Sequence, residues 1–215
     1  MPPQIIIGLT GNIACGKSTV VGMLADLGAT AIDADGVYHE LIAPGSPLNT
    51  AIRERFGPAV LAPDGAIDRS ALGRIVFNDA AALVDLDALT HPTVVAEIRR
   101  RLNAIDTKVA VVDAVKLVES GLAGDCDQLW VVTCPPDIQI DRLMRRNGID
   151  RVEAGRRVAS QPSLESKLAR ATAVIDNGGD LDATGAQVAA RWRTLCDPSL
   201  SQSTAARPLR TPEVP

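Results

Sequence analysis

The chain has 215 residues, of which 46% are hydrophobic, with four cysteines and a formal net charge of −4. That length can bury one sizeable core, or one core with an inserted lobe, and leaves little room for two large independent domains. The acidic balance argues against a general nucleic-acid binder, and no apolar run approaches the roughly 20 residues that a membrane helix needs.

From the N-terminus, Ile5-Ile6-Ile7 is a short β-branched run ending at Gly8, with neither a basic leader nor an apolar signal region before it. It reads as the first strand of a mature cytoplasmic protein. Next comes Gly11-Asn12-Ile13-Ala14-Cys15-Gly16-Lys17-Ser18, which follows this strand and opens a helical pattern in which Val20, Leu24 and Leu27 recur before a glycine stop at Gly28. Glycine, four residues, then Gly-Lys-Ser between a strand and a helix is the phosphate-loop pattern. The glycines let the backbone turn its N–H groups inward as an anion nest, and the helix N-terminus adds positive potential. Lys17 reaches β- and γ-phosphates and the Ser18 hydroxyl can ligate magnesium, so the pattern implies ATP with Mg2+. Cys15 lies where helix-terminal N–H groups can lower a thiol pKa, or where it simply packs.

Ala31-Ile32 is a second strand, leading into Asp33-Ala34-Asp35. From Val37 to Ile105 strand signals stop, and helices are expected with breaks at Pro44-Gly45, Gly57-Pro58, Pro63-Asp64-Gly65 and His91-Pro92. Further strands are expected at Val109–Val112, ending in Asp113, at Leu129–Val132, and at Val174-Ile175, ending in Asp176-Asn177. Their lack of alternation suits strands covered on both faces, and strands separated by helices point to a mostly parallel sheet wrapped by helices. Between Arg142 and Arg170 eight basic residues face three acidic ones, either a solvated, ion-paired face or a cluster meant for phosphates. The cysteines show no metal spacing and read as free thiols of a reducing compartment. From Asp197 onward core-forming periodicity stops, and residues 197–215 read as a disordered tail.

Two carboxylate sites compete for the chemistry. Asp113 closes an apolar strand as a magnesium ligand would, while Asp33 and Asp35 follow the second strand, where Asp35 could equally cap a helix. Either strand end can face the phosphates or the acceptor, and an aspartate there can take the acceptor's proton.

Read together, these residues resemble dephospho-coenzyme A kinases, from about Ile5 to Trp192. The likeness rests on the loop through Thr19, Ile32-Asp33-Ala34-Asp35, Pro44-Gly45, Phe56-Gly57, Asp64-Gly65 to Arg69, Arg74–Phe77 and Thr90-His91-Pro92. Further along it rests on Leu117–Ser120, Arg142–Arg146, Arg157–Gln161 and Val174-Ile175-Asp176-Asn177. The resemblance implies ATP-dependent phosphorylation of the ribose 3′-hydroxyl of dephospho-coenzyme A, a small-molecule acceptor, with no nucleic acid or membrane as partner. It implies one P-loop kinase domain over 4–196, a three-layer α/β fold whose central parallel sheet is flanked by helices. A helical substrate lobe is expected at about 36–106 and a lid at about 142–165. It makes Asp33 the general base, Lys17 and Arg146 the stabilisers of transferred charge, and Gly11 to Thr19 the nucleotide loop. Asp33, His91 and Asp113 would contact the acceptor, and Asn177 would lie near the adenine. The chain departs from the family pattern at Asn12 and Ala14-Cys15, at Asp113-Ala114-Val115-Lys116-Leu117, where a proline before two leucines is usual, and at Thr172. Another small-molecule or nucleoside kinase is the alternative reading; a GTPase-like switch would carry an Asn/Thr-Lys-x-Asp motif, which is missing here.

Overall fold

The computed structural model describes residues 3–196; the expected tail at 197–215 lies outside them. Each apolar run becomes a strand: β1 (Ile5–Thr10), β2 (Thr30–Asp33), β3 (Val109–Asp113), β4 (Gln128–Thr133) and β5 (Ala173–Asp176). They form one sheet in the order β2-β3-β1-β4-β5, parallel and flanked by helices. The register sets Leu9 beside Asp113 and Thr133 beside Asp176, so the C-terminal ends of β1, β3, β4 and β5 share one edge. In open parallel sheets that edge is where ligands bind.

The interior strands β3 and β4 are buried through their apolar residues, as expected for two covered faces. The outer strands β2 and β5 instead alternate, with Ile32 and Ile175 buried and Val174 exposed. Two-sided cover therefore holds for the middle of the sheet and fails at its margins, where β-branched residues are chosen for the pleat and not for burial. Helix α1 (Lys17–Asp26) buries Val20 and Leu24 against the sheet core, but Leu27 caps the helix end and stays exposed.

By compactness the chain divides into two units: Ile32–Ala104, and the residues on either side of that segment. The sheet unit has a core built from Ile7, Leu9, Val20, Leu24, Val111, Trp130, Val132 and Ile175. It also contains α6 (Pro136–Asn147), α7 (Arg151–Ala159), the short α8 (Glu165–Leu168) and α9 (Leu181–Cys196). The other unit holds α2 (Ala34–Leu41), α3 (Pro47–Phe56), α4 (Arg69–Val76) and α5 (Ala80–Asn103) around Ile42, Leu48, Ile52, Val60, Leu72 and Val76. Three of the expected breaks are real, but His91-Pro92 is not one: α5 continues through Pro92 for 24 residues. An interior proline costs about 3 kcal/mol. Long helical flanks, an Asp79 cap and burial of Ala82, Ile98 and Leu102 keep the helix intact. No helix among the described residues is long and apolar enough to cross a membrane.

Candidate active site

The chain leaves β1 at Thr10 and enters α1 at Lys17, and Gly11 to Gly16 make the turn between them. A side chain at Gly11 would collide with the Val132 carbonyl on the neighbouring strand. Gly16 has φ +88°, in the left-handed region, and a Cβ there would collide with Asn177. Ala14 also adopts a left-handed conformation, with φ +59°. Such backbone costs an alanine about 1–2 kcal/mol, so the surroundings must hold it in place. Lys17 and Ser18 begin α1, where no preceding carbonyl is available to their N–H groups, leaving those groups to an anion. The Ile13 N–H, by contrast, donates to Gln161 Oε1 at 3.3 Å, and the Asn12 side chain donates to the Pro162 carbonyl at 3.4 Å. The segment after α7 thus rests on the loop's first half, and the inward-facing nest is confined to its second half.

Lys17 Nζ lies 3.7 Å from Asp113 Oδ1, both side chains being 17% exposed. They sit on a cavity of about 640 Å³ within the sheet unit, with Ser18 and with Arg142, Arg145 and Arg146 of α6. Four cationic side chains against the single carboxylate of Asp113 make the lining strongly positive, which fits a polyphosphate. Arg146 and the adjacent Arg145 both reach this cavity; their guanidinium Nε atoms donate to Asn147 Oδ1 (2.9 Å) and the Asp141 carbonyl (3.3 Å). Four others of the basic cluster have other duties. Arg151 pairs with Asp137 and Asp141, Arg156 and Arg157 pair with Glu153, and buried Lys167 donates to the Val115 carbonyl at 3.1 Å. Lys116, in the segment where the chain departs from the family pattern, is not on the cavity wall.

Of the two readings of Cys15, an activated thiol or a packed one, the structure favours packing. Cys15 is 1% exposed, and its thiol donates to the Asn12 carbonyl at 2.8 Å. Burial pushes its pKa up to about 11, outweighing the pull of the Lys17 ammonium, so it is packed and not activated. The Asn177 side chain is equally hidden, 1% exposed, and donates to the Cys15 carbonyl. Its partner Thr184 and the loop-holding role of Arg142, which donates to the Ala14, Cys15 and Asn177 carbonyls, carried no local signal in the sequence.

Asp33 and His91 belong to the other unit. Asp33, not Asp35, is the cap of α2: its Oδ1 accepts the Asp35 N–H at 3.0 Å. His91 lies inside α5 and pairs with Asp87 at 3.3 Å, so it neither caps a helix nor ends one. In the same unit Arg69 stands 2.7 Å from His39 Nε2, a second histidine contact that the sequence did not flag.

A positively lined strand-end cavity with a phosphate loop as one wall is shared by many nucleotide enzymes, and comparison with known proteins narrows it. The family model for dephospho-CoA kinase matches residues 5–183. This chain belongs to the dephospho-CoA kinase family. A dephospho-CoA kinase of Moorella thermoacetica is 47% identical over 196 residues, 89% of this chain and 92% of that one. Among solved structures, a Thermus thermophilus protein superposes with a TM-score of 0.80 at 30% identity, covering 92% of this chain and all of that one. A dephospho-CoA kinase from Campylobacter jejuni superposes with a TM-score of 0.66 at 28% identity, over 88% and 96% of the two chains. The family read from the ordered motifs and the one found by comparison are the same.

Proposed function

We infer that this chain transfers the terminal phosphoryl group of ATP to the ribose 3′-hydroxyl of dephospho-coenzyme A, giving coenzyme A and ADP. The observation that carries the reading is the cationic cavity of Lys17, Ser18, Asp113 and the α6 arginines beside the phosphate loop, in a chain of this family. The N–H groups at the start of α1 and the Lys17 ammonium hold the phosphate oxygens, and Arg146 stabilises the charge that spreads onto the transferred group. Asp33 takes the proton of the acceptor hydroxyl as its oxygen bonds to the γ-phosphorus and the bond to the β-phosphate oxygen breaks. Asp33 and His91, both in the helical unit, are assigned to the acceptor, with that unit as the substrate lobe and residues from about 142 to 165 as the lid; Asp113 serves the acceptor end of the cavity.

Magnesium fits this site as a shared ion. Ser18 and Asp113 supply hard oxygen donors on the cavity wall, while the described residues contain no cluster of three or more His, Cys, Asp or Glu able to hold a metal alone. These two residues would hold it together with phosphate oxygens and water, and when bound it would neutralise phosphate charge.

The test is ADP release with dephospho-coenzyme A, adenosine or shikimate as acceptor. Turnover is expected with dephospho-coenzyme A, and Lys17→Ala should lower it by about two to three decades. Turnover with another acceptor but none with dephospho-coenzyme A would overturn the assignment.

A further inference from the structure

A loop that turns N–H groups inward toward an anion turns carbonyls outward, and buried outward carbonyls need donors of their own. In this loop the Cys15 carbonyl accepts from Asn177 Nδ2 at 2.9 Å, with Arg142 adding a longer bond at 3.3 Å. Asn177 follows β5, and 162 residues separate it from Cys15. All four of its polar groups are engaged inside the protein. Its N–H donates to the Thr133 carbonyl at 2.8 Å, and its carbonyl accepts from Arg142 at 2.8 Å. Its Oδ1 accepts from the Thr184 hydroxyl of α9 at 3.0 Å. Thr184 is fully buried, and its bond to Oδ1 dictates which end of the amide faces the loop. The same amide occupies the space that a side chain at residue 16 would need.

We propose that Asn177 is a positioning residue for the phosphate loop. Held by Thr184 and by the end of β4, it pins the Cys15 carbonyl and seats Gly16 against itself. It thereby presents the N–H groups of Lys17 and Ser18 to the phosphates without touching the nucleotide. The proposal rests on the reading of the loop as the ATP site, and it differs from an adenine contact in what it makes the affinity depend on. A residue that reads the base affects ATP and leaves a bare polyphosphate alone. One that shapes the loop affects both equally.

The experiment is calorimetric titration of wild type, Asn177→Ala, Thr184→Val and Thr184→Ser with MgATP and with magnesium tripolyphosphate, beside steady-state kinetics. Asn177→Ala should weaken both ligands by about tenfold, the usual worth of one buried hydrogen bond. The KM for dephospho-coenzyme A should stay unchanged. Thr184→Val, which frees the amide to turn, should move both affinities the same way by about threefold, and Thr184→Ser should restore them. Wild-type affinity for both ligands in folded Asn177→Ala, whatever its Tm, overturns the proposal. So does loss of ATP affinity with tripolyphosphate unaffected, which is the signature of a base contact. Should Asn177→Ala not fold, unchanged tripolyphosphate binding by Thr184→Val overturns it. Failure of wild type itself to bind MgATP removes the ATP assignment instead.

Discussion

The cavity wall of the sheet unit and the helical unit treat their arginines differently. In the helical unit, arginines bond to carboxylates: Arg55 to Asp85, and Arg101 to both Glu40 and Glu97. In the sheet unit, the three arginines on the cavity bond to neutral oxygens, namely the Ala14, Cys15, Asn177 and Asp141 carbonyls and the Asn147 amide. A guanidinium bonded to carbonyls is oriented but keeps its full charge for a ligand, whereas one bonded to carboxylates is largely neutralised. Cavity charges should therefore govern catalysis with little effect on stability, and paired charges the reverse.

The largest effect is expected at Asp33, the acid of the helical unit that bonds to a backbone N–H as a helix cap. Asparagine caps as well as aspartate, so Asp33→Asn should keep the fold and its Tm. If Asp33 accepts the hydroxyl proton, turnover should drop by roughly two to four decades while MgATP affinity stays near wild type. A normal rate in this variant, measured beside an inactive Asp113→Asn, would move the base to the end of β3.

Next come the cavity arginines. Arg146→Ala should lower kcat/KM by at least about tenfold with no change in Tm, since its bonds in the free protein are local. Arg145→Ala should do less. The reverse order would shift the phosphate-clamping role by one residue, and a large fall in Tm for either would break the contrast between units.

The smallest effect belongs to Glu97. Hydrogen bonds from Arg100, then from Arg101, hold its carboxyl well below the usual range, down to about 2. A depressed carboxylate pKa contributes stability that is present above its ordinary value near 4.5 and lost as pH falls through about 2. Glu97→Gln should accordingly lower Tm slightly at neutral pH, by about 1–3 °C, with kcat unchanged. The difference from wild type should shrink as pH falls from about 4.5 toward 2. A loss of turnover in this variant would show that the paired charges serve the reaction after all.

Much of the fold was legible because its signals are local. The phosphate loop needs a strand before it, glycines where φ is positive and a helix after it, and the structure has all three between Ile5 and Asp26. The strands β3 and β4 announced themselves by apolar runs that two-sided burial requires. The ordered motifs were enough to name the family, which the comparisons bear out. A local rule misled where neighbours override it: proline statistics put a break at Pro92 inside an unbroken helix. Between an activated and a packed Cys15 the sequence left the choice open, and burial in the fold decides for packing.

The sequence by itself thus determined the strand–loop–helix unit that can grip phosphates, because backbone turning and helix nucleation depend on a few adjacent residues. Tertiary structure alone decided which charges are spent on carboxylates and which stay available. It also decided that Asn177 reaches the Cys15 carbonyl from 162 residues away. Hydrogen bonding acts at about 3 Å and is indifferent to separation along the chain, so partners such as these meet only when the sheet has brought their strand ends to one edge.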